Sequence, residues 1–279
     1  MTDRYAVFGS PIKHSKSPRI HRCFAEQTGQ KLVYSAQEVT AEQFDAEVTA
    51  FFEAGGKGLN CTVPLKELAW RFADRRTERA ELAKAVNTLA IQDDGSILGD
   101  NTDGIGLVTD LIVNHRIALT GKRLLILGAG GAARGIIAPI LAQSPDSIVI
   151  ANRTVGKAFD LANEFDNEKI RGCGFAELPG CSFDLILNAT SASLSDELPP
   201  MPEEILGTNG LCYDLAYGNE PTAFVRWGTR HGAAKSVDGL GMLVEQAAEA
   251  FLLWRGVRPE TASVIAMLNA ERKAETMAE

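Results

Sequence analysis

The stretch KRLLILGAGGAARG, Lys122 to Gly135, decides the fold. Its first half is an unbroken apolar run, the pattern of a strand buried on both faces. Its second half is glycine-rich and leads into helix-forming residues. A buried strand that runs into a glycine turn and then opens a helix begins a doubly wound α/β sheet. Gly128, Ala129, Gly130, Gly131, Ala132 and Ala133 fit the spacing G-x-G-x-x-G/A. Glycine at 128 allows the tight turn, and glycine at 130 lets the backbone approach a pyrophosphate. The helix N-terminus that follows offers unpaired N–H groups and the favourable end of a dipole. The stretch therefore predicts a dinucleotide site.

Working outward, further apolar strands are expected at residues 147–151, 184–188 and 211–215, with helical stretches between them. The strand after the glycine turn selects the dinucleotide. An enzyme for NAD tends to end this strand in Asp or Glu, which accepts from the ribose 2′-hydroxyl. Here Asn152, Arg153 and Thr154 follow Ala151, with Lys157 one turn on, and no carboxylate is present to repel a phosphate. Arg153 can stack on adenine and pair with a 2′-phosphate, so NADP is the expected cofactor. The bland reading of Arg153 is a solvated cation. Thr190 and Ser191 emerge at the carboxyl edge of a later strand, where they line the nicotinamide side or simply form the turn.

The first hundred residues carry the same alternation. Strands are expected at residues 5–8, 32–38 and 58–63, and a hairpin at 86–98 turns on Asp93-Asp94-Gly95. Ser17 followed by Pro18 reads as the N-cap and first position of a helix that stops at Gly29. Thr40 reads as the cap of a helix bearing Phe44, Val48, Phe51 and Phe52 on one face. The last ~40 residues have helical spacing and are expected to return to the first domain. The domains expected are 1–103, 104–242 and 243–279. Gly104, Gly106, Gly239 and Gly241, near the two crossings, are expected to act as hinges between two lobes.

Bulk properties exclude several classes. The chain has 279 residues, 45% hydrophobic and 23% charged, with a formal net charge of -8. No basic face recommends a nucleic-acid partner. No run approaches the ~20 apolar residues of a membrane span, and no basic leader precedes an apolar stretch, so a cytoplasmic protein is expected. The five cysteines are scattered, without Cys-x-x-Cys, so neither a disulfide framework nor a metal site is expected.

Four polar clusters sit at element ends of the first domain. In SKSP, 15–18, Ser15 and Ser17 flank a lysine before a helix start, which suits a carboxylate. In NCTVPLK, 60–66, Asn60 and Thr62 lie at alternate positions on one face, and Lys66 follows. The others are AVNT, 85–88, with Asn87, and GDNTDG, 99–104, with Asp103.

These segments, with GAGGA at 128–132, NRT at 152–154, NATS at 188–191 and DGLGMLVEQ at 238–246, resemble those of bacterial NADP-dependent shikimate dehydrogenases. They come in the family's order and span nearly the whole chain. The resemblance implies reversible, NADPH-dependent reduction of 3-dehydroshikimate to shikimate in aromatic amino acid biosynthesis. The implied substrate is a carboxylated cyclohexene, and the implied assembly a monomer or homodimer. Ser15 and Ser17 would hold the carboxylate. Thr62, Asn87, Asp103 and Gln246 would bind the ring hydroxyls, Asn60 would belong to the substrate site, and Tyr217 would lie near both ligands. Lys66 would be the acid/base with Asp103 as its partner, a pair treated as one coupled unit. Glu78, Leu215, Gly239 and Met242 would join the cofactor side.

The sequence departs from the family pattern in places. Cys61 stands where valine is expected, Ser193 where glycine is common, and Pro221-Thr222-Ala-Phe224 replaces the usual Thr-Pro-Phe order. The rival readings are a quinate/shikimate dehydrogenase with relaxed cofactor choice and a non-catalytic NADP-sensing protein on the same scaffold. An acid after Ala151 would favour the first and loss of Lys66 or Asp103 the second, and neither is seen.

Overall fold

The computed structural model describes residues 2–278. It divides into two compact units. One runs to Gly106 and resumes over Leu243–Ile265; the other covers Leu107–Met242 and resumes at Ala266.

The first unit begins β1 (Asp3–Gly9), α1 (Ser17–Thr28), β2 (Leu32–Glu38), α2 (Phe44–Glu53), β3 (Gly56–Cys61), α3 (Lys66–Phe72) and β4 (Arg75–Arg76). It continues with α4 (Glu78–Ala83), β5 (Thr88–Ile91), β6 (Ile97–Asp100) and the start of α5 (Asp103–Thr109). The strand order is β2-β1-β3-β5-β6-β4. β1 pairs in parallel with β2 and β3, whereas β5 runs antiparallel to β3 and β6. The hairpin at Asp93-Asp94-Gly95 thus forms, with Gly95 at φ 84°. On one face Ala6, Phe8, Leu59 and Cys61 pack against Phe44, Val48, Phe51 and Phe52 of α2. Alternate side chains of the two strands, which are buried on both faces, meet the apolar stripe of the helix there.

The second unit contains β7 (Arg123–Leu127), α6 (Gly131–Leu141), β8 (Ser147–Ala151), α7 (Val155–Glu164), β9 (Ile170–Cys173) and β10 (Phe183–Asn188). It goes on through β11 (Leu206–Asp214), α8 (Ala223–Arg230), β12 (Lys235–Val237) and the start of α9 (Leu240–Arg255). Its six strands are all parallel, in the order β12-β11-β10-β7-β8-β9. Sequence order therefore reverses between β7 and β10, which makes a topological switch point there. The continuous apolar runs are buried on both faces. Leu124, Ile126, Ile148, Ile150, Leu185 and Leu187 enter one core, while Leu125, Leu127, Val149, Ala151 and Ile186 enter the other.

Several expectations are corrected. β3 ends at Cys61, so Thr62 lies just past the strand, although its N–H still bonds to the Phe8 carbonyl at 2.9 Å. Ser17 is the first helical residue and not the cap; its N–H donates to Ser15 Oγ at 3.3 Å. Thr40 does not cap α2, which starts at Phe44; the Gln43 side chain accepts from the Thr40 N–H instead. The C-terminal segment is two helices, α9 and α10 (Ala262–Ala278), separated at Gly256, whose φ is 69°. The block 243–279 is also divided, because the chain from Ala266 groups with the second unit. Arg272 of α10 pairs there with Asp238 at 2.5 Å, which ties that end of the helix down. Gly106, Gly239 and Gly241 are tightly packed: an added Cβ would stand 2.7 Å from Gln246, 2.3 Å from the Leu215 carbonyl oxygen and 2.0 Å from the Asp110 carboxylate. Close approach of neighbouring atoms is by itself a reason for glycine at these three positions.

Candidate active site

In the first unit the polar clusters converge. Lys66 opens α3 and Asp103 opens α5, and Lys66 Nζ donates to Asp103 Oδ2 at 2.5 Å. The start of a helix is a poor place for a cation, and the facing carboxylate offsets this. The two side chains are 27% and 12% exposed, so the pair is reachable from solvent without being loose. Asn87 Nδ2 donates to Asp103 Oδ1 at 2.8 Å, which fixes the carboxylate's rotation about its bond. The same amide reaches Thr102 Oγ1 at 2.9 Å and Gln246 Oε1 at 3.2 Å. The Asn87 oxygen accepts from the Thr102 N–H at 2.9 Å and from Thr88 Oγ1 at 2.9 Å. Asn60 Nδ2 donates to the Asn87 carbonyl and to Thr88 Oγ1, both at 3.0 Å. Gln246 comes into reach because Gly106 lets α9 approach α5 closely.

The structure therefore joins Lys66, Asp103, Asn87, Asn60 and Gln246 in one array. Ser15 and Ser17 stand together before α1, linked by the Ser17 N–H. Thr62 touches the region of Gly9, where an added Cβ would lie 2.3 Å from its methyl group. Glu78 opens α4 and is exposed, taking no part in the array. Sequence reasoning passed over Thr88 and Thr102, which sit inside quoted segments as polar residues without a role. It also missed Tyr34, whose hydroxyl donates to Asn60 Oδ1 at 2.7 Å. Nothing in the alternation of β2 distinguishes Tyr34 from an ordinary strand residue.

In the second unit the glycine turn lies at the carboxyl end of β7, beside the switch point. Gly128 has φ 103°, which only glycine adopts readily, and an added Cβ would press on the Ala189 carbonyl at 3.0 Å. Gly130 and Gly131 differ: a Cβ on either would meet no atom within 4 Å. No side chain caps α6, so its first N–H groups are open to a ligand. These features fit a pyrophosphate. Ala129 and Ala132 flank them, half-buried and exposed respectively. Arg153, Thr154 and Lys157 are exposed past β8, and Asn152 Nδ2 closes that turn on the Thr154 carbonyl at 2.9 Å. This surface fits a 2′-phosphate.

A second polar knot holds the ends of β10 and β11. Asn188 Oδ1 accepts from the Thr190 N–H and hydroxyl at 3.2 and 2.7 Å, which sets the turn bearing Ser191. Asn188 Nδ2 donates to Ser193 Oγ at 3.0 Å and Asp214 Oδ1 at 3.2 Å. Ser193 Oγ and Thr222 Oγ1 both donate to Asp214 Oδ2, at 2.5 and 2.6 Å. Asp214 is fully buried, and burial holds its carboxyl above the ordinary range although Ser193, Thr222, Ala216 and Asn188 all donate to it. Two places where the sequence departs from the family pattern, Ser193 and the segment at Thr222, thus meet on one carboxylate. Thr222 also caps α8 by accepting from the Val225 N–H at 3.2 Å. Leu215 and Tyr217 follow directly; burial and the nearby Asp238 raise the Tyr217 phenol above its ordinary value. Gly239 bonds to the Ala216 carbonyl at 3.1 Å, with half-buried Met242 beyond it.

Among the described residues no group of His, Cys, Asp and Glu could hold a metal ion, and no helix is long and apolar enough to cross a membrane.

Known proteins match these features along the whole chain. Residues 7–89 match the shikimate dehydrogenase substrate binding domain. Residues 111–195 match the shikimate / quinate 5-dehydrogenase family, and 239–266 the shikimate 5'-dehydrogenase C-terminal domain. A shikimate dehydrogenase (NADP(+)) of Methylococcus capsulatus is 63% identical over 97% of this chain and 98% of its own length. One from Alkalilimnicola ehrlichii is 58% identical over 97% and 100%. The crystal structure of shikimate 5-dehydrogenase from Thermus thermophilus, in complex with NADP(H) and shikimate, superposes with TM-score 0.86 at 31% identity, covering 97% of this chain and all of that one. With 58–63% identity over nearly full length, an all-parallel dinucleotide-type sheet in one unit and an amide-lined lysine–aspartate pair in the other, the chain belongs to the shikimate dehydrogenase family.

Proposed function

We propose that this chain catalyses the reversible, NADPH-dependent reduction of 3-dehydroshikimate to shikimate, in aromatic amino acid biosynthesis, as a cytoplasmic monomer or homodimer. The observation that carries the reading is the Lys66–Asp103 pair at 2.5 Å, oriented by the Asn87 amide. NADPH supplies the hydride when bound. As the ketone carbon gains it, negative charge grows on the oxygen, which needs a proton donor close by. Lys66 Nζ gives that proton and regains one from solvent. Asp103 holds the ammonium in place and, with Asn87, Gln246, Asn60 and Thr62, receives the ring hydroxyls. Ser15 and Ser17 take the carboxylate. Tyr217 is the residue that would lie near both ligands. On the cofactor side Gly128, Ala129, Gly130, Gly131 and Ala132 cradle the pyrophosphate. Asn152, Arg153, Thr154 and Lys157 take the adenosine phosphate, while Thr190, Ser191, Leu215, Gly239, Met242 and Glu78 border the rest.

An NADPH absorbance assay with 3-dehydroshikimate, run beside 3-dehydroquinate and repeated with NADH, tests the reading. Turnover of 3-dehydroshikimate with preference for NADPH is the expected outcome. Equal use of dehydroquinate or NADH would favour the quinate/shikimate reading instead. Absence of turnover with bound NADPH would favour a sensor.

A further inference from the structure

Behind the amide array lies an aromatic layer that the mechanism above does not use. His21 on α1 is 1% exposed, and neither ring nitrogen has a hydrogen-bond partner. Its ring lies flat on Tyr34, with centroids 4.1 Å apart and planes 6° from parallel. Phe24, Trp254 and Phe251 close in at 5.9, 5.5 and 6.2 Å. Burial pushes the His21 pKa down to about 3, against the opposing influence of the Asn60 amide, so the ring is neutral at working pH. His21 meets Tyr34 face to face, and the stack holds the plane of the phenol ring.

That direction matters because of where the hydroxyl leads. Tyr34 donates to Asn60 Oδ1 at 2.7 Å, Asn60 Nδ2 to Thr88 Oγ1 at 3.0 Å, and Thr88 Oγ1 to Asn87 Oδ1 at 2.9 Å. Asn87 Nδ2 donates in turn to Asp103 Oδ1 at 2.8 Å. Every donor points the same way, from the phenol towards the carboxylate that grips Lys66. A primary amide has two ends of opposite character and nearly equal shape, so its flip state must be set by its neighbours. The Asn87 carbonyl, which can only accept, keeps the Asn60 Nδ2 on its own side, and the phenol O–H meets the oxygen at the other end.

We propose that Tyr34, oriented by the His21 ring, is a positioning residue for the substrate site: its hydroxyl heads a one-directional hydrogen-bond chain through Asn60, Thr88 and Asn87 to Asp103. The proposal rests on the substrate role given above to Asn60, Asn87 and Asp103. Without the hydroxyl, Asn60 Oδ1 loses its donor, and the Asn60 amide is left held only through its Nδ2 bonds to the Asn87 carbonyl and Thr88 Oγ1.

The experiment is a steady-state comparison of Tyr34→Phe, Thr88→Val and the double variant, with thermal unfolding measured on each. Tyr34→Phe should raise KM for 3-dehydroshikimate about tenfold, the scale of one lost hydrogen bond, with KM for NADPH within about twofold. Because both residues serve one chain, the double variant should be little worse than the worse single one. His21→Phe, which keeps a flat ring, should leave KM near the unmodified value. An active parent whose KM is unmoved by Tyr34→Phe overturns the proposal alone, as do Tyr34→Phe and Thr88→Val effects that simply add. A loss of thermal stability in Tyr34→Phe with no change in KM assigns Tyr34 to packing and also overturns it. A parent inactive on 3-dehydroshikimate overturns the proposed function itself.

Discussion

Around Lys66 the polar side chains are engaged with one another, whereas around Gly130 the protein has withdrawn its side chains altogether. Asn60, Asn87, Thr88, Thr102, Asp103 and Gln246 form a closed array of hydrogen bonds before any substrate arrives. At Gly130 and Gly131, apart from the adjoining residues and the helix's own backbone, no protein atom lies within 4 Å of where a side chain would begin. The first region recognises with side chains, whose donors and acceptors must be held in one sense, and so it is built as a network. The second recognises with backbone N–H groups, which a helix start orients without help, and so its main requirement is room. A network fails by losing a member; a vacated turn fails by gaining an atom.

Substitutions can break this contrast, starting at the centre of the network. Lys66→Ala should lower kcat by ~100-fold or more with a smaller change in KM, the scale of lost acid/base help. Near-normal kcat with a raised KM would make Lys66 a binding residue only. At the edge of the vacated region, Arg153→Ala should weaken NADP by roughly tenfold to a hundredfold through loss of a charge-assisted partner, and leave NAD use unchanged. Equal loss for both cofactors in binding titrations would remove the 2′-phosphate role.

Two glycines sharpen the comparison further. A methyl group on Gly239 would collide with the Leu215 carbonyl at 2.3 Å, so Gly239→Ala should lower unfolding free energy by about 1–3 kcal/mol. Gly130→Ala meets no protein atom, so denaturation should be nearly unchanged while NADPH affinity falls. A destabilised Gly130→Ala that still binds NADPH normally would show that its glycine serves the fold and not a ligand. The smallest effect belongs to the knot on Asp214. Ser193→Gly removes one donor and leaves those of Thr222, Ala216 and Asn188, so a loss of about 1 kcal/mol is expected in chemical denaturation. Its acid dependence carries a sign. The folded carboxyl is held above its ordinary value, so ionised Asp214 costs stability, and the cost builds as pH rises from the unfolded value through the raised folded one. Removing the Ser193 donor should widen that pH window, visible as a steeper fall of stability with rising pH in the acid range.

The legible part of the fold was the part written in short-range pattern. The apolar run before Gly128 gave a strand buried on both faces because consecutive side chains point to opposite sides, and all of them were apolar. The polar clusters at 15–17, 60–66, 85–88 and 99–104 were visible as residues at element ends, and the family resemblance supplied their roles. Cap and boundary assignments at Ser17, Thr40 and Thr62 went astray by a residue or a few. A hydroxyl two residues earlier, or a glutamine, can meet the same N–H, and local sequence does not choose between them.

The sequence by itself determined where the chain turns and which faces are apolar. It also set what chemistry is available: a glycine turn after a buried strand, no acid after Ala151, and a lysine and an aspartate at element ends. Only the tertiary structure decided which of those groups meet. Lys66 and Asp103 are 37 positions apart and Asn87 and Gln246 159 apart, and each pair lies within hydrogen-bonding distance. Such a meeting depends on the register of β3 on β5 and the close approach of α9 at Gly106. Hydrogen bonds tolerate errors of only a few tenths of an ångström, whereas local preferences fix dihedral angles far more coarsely. The sense of the donor chain from Tyr34 to Asp103 is a further step removed, because an amide's orientation is set by its neighbours and leaves no mark in the sequence.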